Sequence, residues 1–174
     1  MRTETTTRTL YEYDELSDKG KAEAVEGLYD INVDYAWHEC IYEDAANVGL
    51  KITSFDTGRR SSCKIDYIGY GSDTAHKIEE EHGEECDTYI EAIAFLAARD
   101  ELVNTAPRNT EGDYADEWAL DEKLDELEAE YLKQLSESYR IMLQKEYEYL
   151  ISKEAIVESI KANEYEFTED GKLA

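Results

Sequence analysis

The order of apolar and polar positions along the chain predicts short strands separated by longer helices. Residues 3–13 are rich in threonine and tyrosine, and alternate side chains fall on one face, which predicts a strand. A turn-like, glycine-containing segment over 56–61 joins two further short strands, as in a β-hairpin. The other predicted strands cover residues 50–55, 63–70 and 164–168. Asp170 and Gly171 predict a turn after the last of them.

Apolar residues at three- and four-residue spacing predict several helices. These helices cover residues 18–29, 35–48, 74–81, 84–103, 113–150 and 153–162. The expected N-terminal caps are Ser17, Asp34 and Ser152. Thr110 and Asp113 resemble a capping box ahead of the longest helix, and Gly49 is the expected stop of the second helix.

Helices and antiparallel hairpins follow one another without a strand–helix–strand rhythm, which is typical of the α+β class. We expect a small antiparallel sheet packed with several helices and a long acidic helical region towards the C-terminus. The segment 104–113 holds the only proline, Pro107, and is the best internal boundary. The sequence therefore predicts an α+β domain over 1–106. It also predicts a helical extension over 107–174 that ends in a short strand and packs on the first domain.

The longest predicted helix carries one apolar stripe at three-to-four spacing. The stripe consists of Leu120, Leu124, Leu127, Tyr131, Leu135, Tyr139, Met142 and Leu143. Packing within the chain would bury it, and a homodimer through a coiled coil or a helical hairpin is an alternative.

The charge of the chain restricts its possible partners, because 43 Asp and Glu residues outnumber 18 Lys and Arg residues. The formal net charge of −25 disfavours direct binding to nucleic acid or to anionic membranes. Fourteen tyrosines, two tryptophans and a single proline indicate a folded chain despite the acidity. Three cysteines form no disulfide framework and indicate a reducing compartment, and we expect neither a secretory signal nor a membrane anchor.

Ten acids and a single lysine, Lys123, lie within residues 111–130. We expect Asp121, Asp125 and Glu128 to share the helix face opposite the apolar stripe, with Glu117 one turn earlier. Turns of about 5.4 Å separate such carboxylates by a distance comparable to that between phosphates along a nucleic-acid strand. The predicted partner-binding residues are Asp113, Asp116, Glu117, Asp121, Glu122, Asp125, Glu128, Tyr114 and Tyr131, the two tyrosines as rings that accept guanidinium groups. A solvated acidic surface, including that of a halophilic protein, is the alternative.

Metal-binding and catalytic patterns are weak. His82 and Cys86 are four residues apart and would share a helix face if the helix included His82, and Cys40, His38 or Cys63 could complete a tetrahedral zinc site. Gly83 between them disfavours this geometry. However, the chain has no CxxC or HxxxH pair, and a buried free cysteine is commonly an apolar filler. We therefore expect no cofactor and no enzyme. A metal-dependent enzyme that uses His82 and Cys86 is the alternative.

Six segments resemble the sequences of one group of proteins. They are 11–17 (YEYDELS), 30–34 (DINVD), 42–45 (YEDA), 49–56 (GLKITSFD), 82–95 (HGEECDTYIEAIAF) and 162–171 (ANEYEFTEDG). In these segments the chain resembles small acidic accessory proteins of phages and prophages, some of them labelled antitoxin-like. The resemblance supplies no catalytic motif, but it implies a phage accessory protein, and such proteins often act against host defences.

Together with the charge, the resemblance favours an anti-CRISPR or anti-restriction inhibitor in the cytoplasm of a host bacterial cell. Such an inhibitor would bind the Lys/Arg-rich groove of a basic host protein or ribonucleoprotein as a nucleic-acid mimic. An antitoxin-type protein that neutralises a basic partner is the alternative.

Overall fold

The computed structural model of the chain describes Arg2 and residues 8–174, and within them it shows an α+β architecture. The helices are α1 (Asp18–Gly27), α2 (Glu39–Asn47), α3 (Gly71–Glu81), α4 (Asp87–Thr105), α5 (Glu117–Leu150) and α6 (Lys153–Ala162). The strands are β1 (Tyr11–Glu12), β2 (Leu50–Asp56), β3 (Ser62–Tyr67) and β4 (Glu166–Phe167). They form two antiparallel pairs, β1 with β4 and β2 with β3. The predicted α+β class is confirmed.

The chain divides into two compact units. The first combines the described residues up to Trp37 with Lys145–Ala174, and the second is His38–Gln144. Helix α5 therefore begins in the second unit and ends in the first. The division differs from the one predicted from the sequence, because residues 107–144 group with the part of the chain that precedes them.

The first unit joins the two ends of the described chain. Tyr11 pairs with Phe167 and Glu12 pairs with Glu166, which makes a two-residue antiparallel ladder. The strand predicted over 3–13 is much shorter in the structure. Residues 3–7 lie outside the described residues, and the ladder ends where Tyr13–Glu15 forms a turn of 3-10 helix. The backbone N–H of Glu12 donates to the side chain of Glu15 at 2.9 Å, which fixes this turn.

The core of the first unit contains aromatic and aliphatic side chains from both ends of the sequence. Its buried residues are Tyr13, Leu16, Ala24, Ile156, Ile160 and Phe167. Ser17 and Ser152 cap α1 and α6 as predicted, because their hydroxyls accept the N–H groups of Gly20 and Ala155, each at 3.2 Å. The buried Asn32 donates to the carbonyl of Leu150 at 2.9 Å, which ties the turns after α1 to the end of α5.

The second unit contains the β2–β3 hairpin, as predicted. Leu50 faces Tyr67 and Ile52 faces Ile65, and the register shifts between Ile52 and Ser54. Alternate side chains of the hairpin are buried, namely Leu50, Ile52, Cys63 and Ile65. Gly49 ends α2 with a positive φ of 88°, the backbone conformation that glycine adopts most easily.

The apolar stripe of α5 is confirmed, since Leu120, Tyr131, Leu135, Tyr139 and Leu143 are all buried. Phe95 of α4 stacks on Tyr131 with ring centroids 4.3 Å apart and an interplanar angle of 11°.

Two predicted N-terminal caps do not form, namely Asp34 for α2 and the capping box of Thr110 and Asp113 for α5. Asp34 lies within a series of turns, where its N–H donates to the carbonyl of Asp30, and α2 begins only at Glu39. Helix α5 begins at Glu117 and not near 113, because Asp116 accepts the N–H of Ala119 at 3.0 Å. The amide oxygen of Asn109 instead accepts the N–H groups of Glu111 and Asp113, which closes the preceding loop.

Gly171 allows the C-terminal turn to approach α1. Its φ is +85°, and a Cβ atom at this position would lie 2.1 Å from the carbonyl oxygen of Gly20. Both the backbone conformation and the contact therefore require glycine.

We predict that Gly171→Ala lowers the free energy of unfolding by at least about 2 kcal/mol, since the strained φ and the backbone clash add. Gly27→Ala is the matched control, because a Cβ atom at Gly27 meets nothing within 4 Å. The control should be at least as stable as the wild type. Urea unfolding followed by circular dichroism measures both variants, and equal stability of the two would contradict the prediction.

Candidate functional site

His82 and Cys86, the pair of the alternative metal site, do not share a helix. His82 follows the last turn of α3, and Cys86 precedes the first turn of α4. The Nδ1 atom of His82 lies 2.7 Å from Oγ1 of Thr88, and Nε2 lies 3.5 Å from Oδ1 of Asp44. Cys86 is exposed. Within Arg2 and residues 8–174, no group of three or more His, Cys, Asp or Glu side chains could hold a metal ion. A shared helix face required a helix that includes His82, and this condition is not met because residues 82–86 separate α3 from α4.

Thr88, His82 and Asp44 have the composition of a hydrolytic triad, but the burial of Thr88 gives the group a structural role. Thr88 is only 2% exposed, so its hydroxyl cannot reach a substrate. Asp44 also accepts a hydrogen bond of 2.8 Å from the hydroxyl of the fully buried Tyr139. The contact with His82 lowers the pKa of the Asp44 carboxyl. Burial opposes this shift, and the hydrogen bond from Tyr139 adds to it. The network connects α2, α4, α5 and the end of α3.

We predict that Asp44→Asn lowers the free energy of unfolding by about 1 kcal/mol at neutral pH, because the charged acceptor of Tyr139 is lost at a partly screened position. The folded-state pKa of Asp44 lies below its ordinary value. The stabilisation is therefore present above about pH 4 and is lost as the pH falls through the lowered pKa. Denaturant unfolding from neutral to acid pH should show the difference between the two proteins shrinking in acid. A difference that stays constant would contradict the assignment, and Glu43→Gln, at an exposed neighbour, is the control.

Contacts between residues of the same loop stabilise the loop before α5. The guanidinium of Arg108 lies 4.4 Å from the ring centroid of Tyr114, and its Nη1 atom donates to the carbonyl of Gly112 at 2.9 Å. One face of Tyr114, a predicted partner-binding residue, is thus occupied by an arginine of the same chain. The pair shows that an aromatic ring in this acidic segment binds a guanidinium group.

The structure leaves most of the predicted partner-binding carboxylates on the surface. The exposed ones are Asp113, Asp116, Glu117, Asp121, Glu122 and Asp125. Asp116 also caps α5, so its carboxylate has a structural role.

Two of the predicted partner-binding residues do not lie on an open surface. Tyr131 is 2% exposed and stacks on Phe95, so the structure excludes it as a surface contact. Glu128 is half-buried, and its carboxyl carbon lies 3.2 Å from the position that a Cβ atom on Gly71 would take. Three residues of an α-helix turn through about 300°, so Glu128 lies only about 60° from Tyr131 and flanks the apolar stripe. The expectation that Glu128 opposes the stripe is therefore wrong.

Trp118 is the residue of this surface that the sequence reasoning missed. It lies in the first turn of α5 and is 72% exposed. Asp121, Glu122 and Asp125 follow it at spacings of three, four and seven residues, which places all four side chains on one face of the helix. We call these four residues the Trp118 face. The available signal was a tryptophan at helical spacing from a run of acids.

The carboxylates of the Trp118 face are not neutralised within the chain. Asp121, Glu122 and Asp125 form no ion pair with any other residue that the structure describes. Elsewhere in α5, by contrast, Arg140 binds Glu137 at 2.6 Å and lowers the pKa of that carboxyl through the hydrogen bond. The Trp118 face therefore combines an exposed aromatic ring with three uncompensated negative charges. It can bind a cationic group by stacking and by charge at the same time.

The second unit also contains a groove of about 900 Å³ between β3 and α5. Two of its basic side chains are paired with acids, since Arg140 binds Glu137 and Lys133 lies 3.4 Å from Glu130, whereas Lys64 also lines the groove.

Comparison of the chain with known protein families, curated proteins and solved structures gives no match. Among the helices that the structure describes, none combines the length and the apolar character needed to cross a bilayer.

Proposed function

We propose that the chain is a phage-encoded acidic inhibitor that occupies the Lys/Arg-rich groove of a host nucleic-acid-binding defence protein. The Trp118 face carries the proposal, because its three carboxylates are exposed and have no cationic partner among the described residues. A groove that normally holds DNA or guide RNA supplies the missing cations. Catalysis by the chain is not required, since occupation of the groove is sufficient to exclude the nucleic acid.

The geometry of the face suits a row of basic side chains. Asp121 and Asp125 are four residues apart, about 6 Å along the helix axis, so successive carboxylates can meet successive cations. The ring of Trp118 adds a stacking surface for an arginine, an interaction worth about 0.5–2 kcal/mol depending on how far the pair is desolvated. Exposed tryptophans surrounded by polar residues are frequent centres of binding energy.

The charge of the whole chain supports the same function. A net charge of −25 accelerates encounter with a basic surface, and salt screens this attraction. Self-repulsion of the acids opposes folding, and a basic partner relieves it. Complex formation should therefore weaken markedly as the ionic strength rises.

The assignment to an anti-CRISPR or anti-restriction protein comes from the resemblance to phage accessory proteins. It implies action in the cytoplasm of the host bacterial cell. The partner is then a CRISPR-associated or restriction component that carries a nucleic-acid groove.

A displacement experiment tests the proposal. Purified CRISPR surveillance complexes and restriction endonucleases, each bound to fluorescently labelled target DNA, are titrated with the chain at rising salt. We expect release of DNA from at least one complex at low salt and a weaker effect at high salt. If no complex releases DNA at any salt concentration, nucleic-acid mimicry is excluded for these targets.

We predict that Trp118→Ala and the triple reversal of Asp121, Glu122 and Asp125 to lysine each weaken the displacement about tenfold or more. The control is the triple reversal of Glu80, Glu81 and Glu84, which are also exposed and lie in the same unit. The control changes the net charge equally and should retain most of the activity. Equal loss in both triple variants would show that overall charge, and not the Trp118 face, determines binding.

The antitoxin alternative uses the same surface but a different partner. Affinity purification of the tagged chain from its host separates the two functions. A small basic protein in equimolar amount would favour the antitoxin, whereas a large ribonucleoprotein or an endonuclease would favour the inhibitor.

A further inference from the structure

Helix α4 exposes an apolar face. The helix is apolar over most of its length, but only Thr88, Ala92 and Phe95 are buried. Ile90 is 56% exposed and Ile93 is 37% exposed. Ala94 and Ala97 are also exposed, and the four residues recur at spacings of three, four and seven, so they share one face. An apolar face of this kind on the surface marks an interaction site.

The exposed face continues into a cleft between α4 and α5. The cleft has a volume of about 200 Å³ and is lined by Ala94 and Ala98 of α4 and by Leu127 and Tyr131 of α5, with Phe95 between them. Ala94 belongs to both the face and the cleft. The hydroxyl of Tyr131 is buried and has no hydrogen-bond partner among the described residues. We call the exposed face and the cleft together the α4 groove.

The α4 groove lies between two antiparallel helices. The stacking of Phe95 on Tyr131 and the 2.8 Å hydrogen bond from Ser138 to Glu91 give α4 and α5 this relative direction. Alanines along α4 allow the backbone of a third helix to approach closely. The cleft then receives a large apolar side chain of that helix, which is the helix-in-groove mode of recognition.

Acids surround the α4 groove and select the charge of its occupant. The exposed acids around it are Asp87, Asp100 and Glu101 on α4 and Glu126 on α5. Glu130, which lies 3.4 Å from Lys133, lines the cleft itself together with Gln134. A second copy of the chain would bring the same acidic margin and a further net charge of −25, so repulsion disfavours it. A helix with an apolar stripe between rows of Lys and Arg satisfies both the apolar face and the acidic margin.

We propose that the α4 groove binds a basic amphipathic helix of the partner protein. The sign of the partner's charge rests on the proposed function, whereas the helical, apolar character of the contact comes from α4 itself. The α4 groove thus adds shape recognition to the charge recognition of the Trp118 face.

Two synthetic peptides of about 18 residues, built only from Lys and Leu in the same ratio, test this proposal. In the first, the leucines follow helical spacing and form one stripe. In the second, the order is changed so that the leucines are spread around the helix. Fluorescence anisotropy should show that the full chain binds the first peptide at least about tenfold more tightly, and circular dichroism should show that this peptide gains helix on binding. Equal binding of the two peptides, or binding of neither, overturns the proposal.

The double substitution Ile90→Ser and Ile93→Ser locates the contact without a change of charge. It should remove the preference for the striped peptide and leave the weaker binding of the second peptide unchanged. Ile68→Ser, at another exposed isoleucine of the same unit, is the control and should retain the preference. A preference that survives the double substitution overturns the assignment to α4.

The two proposals can fail separately. If reversal of Asp121, Glu122 and Asp125 leaves the displacement of DNA unchanged while the double substitution removes the preference for the striped peptide, the α4 groove stands and the Trp118 face fails. Sedimentation equilibrium tests whether a second copy of the chain occupies the α4 groove. A dimer of the wild type that the double substitution dissociates would show that a second copy covers α4, which overturns the proposal.

Discussion

The burial of one side of α5 holds the most acidic part of the chain in a helix. Its N-terminal half carries repeated like charges at helical spacing, which weaken an isolated helix. Isolated helices gain little stability from propensity alone, and tertiary packing supplies most of it. Leu120, Tyr131, Leu135 and Tyr139 provide that packing, because all four are buried in the second unit. Once this stripe is buried, the acids on the other sides of the helix are exposed to solvent.

The same constraint explains how the charge becomes available for binding. The ion pairs among the described residues are few and mostly exposed, for example Lys161 with Asp14 and Lys172 with Asp170. Pairs of this kind contribute little stability. The chain therefore folds through its apolar contacts and keeps much of its negative charge uncompensated. Trp118 and the exposed face of α4 add aromatic and apolar surface beside this charge, which a solvated acidic surface would not require.

Several reactive, charged or aromatic side chains that could have formed a functional site have structural roles in the fold. His82 contacts Thr88 and Asp44, and Asp44 accepts the hydroxyl of the buried Tyr139. Asp116 caps α5, and Tyr114 holds Arg108. Each of these groups is placed by contacts within the chain. The carboxylates of the Trp118 face have no such partner among the described residues and lie beside an exposed tryptophan, and this combination is the main reason to connect the face with a binding function.

The sequence by itself determined the elements that local interactions specify. Ser17 and Ser152 cap helices, Gly49 ends one, and the β2–β3 hairpin follows from its turn, because capping and turn geometry depend on residues within about four positions. The apolar stripe of α5 was also predictable, since its spacing lies within one helix. The exposure of Asp121, Glu122 and Asp125 follows from composition and helical phase, whereas Asp113 and Asp116 precede α5.

Only the tertiary structure decided which faces are covered. Spacing placed Tyr131 in the apolar stripe, but it did not show that Phe95 stacks on it, that Glu128 lies against Gly71, or that Trp118 and Ile90 stay exposed. It also did not show that β1 pairs with β4, although almost the whole chain lies between them. Nor did it show that residues 107–144 group with the part of the chain that precedes them. The physical reason is that a helical period gives the direction of a side chain, whereas its burial depends on the element that packs against it.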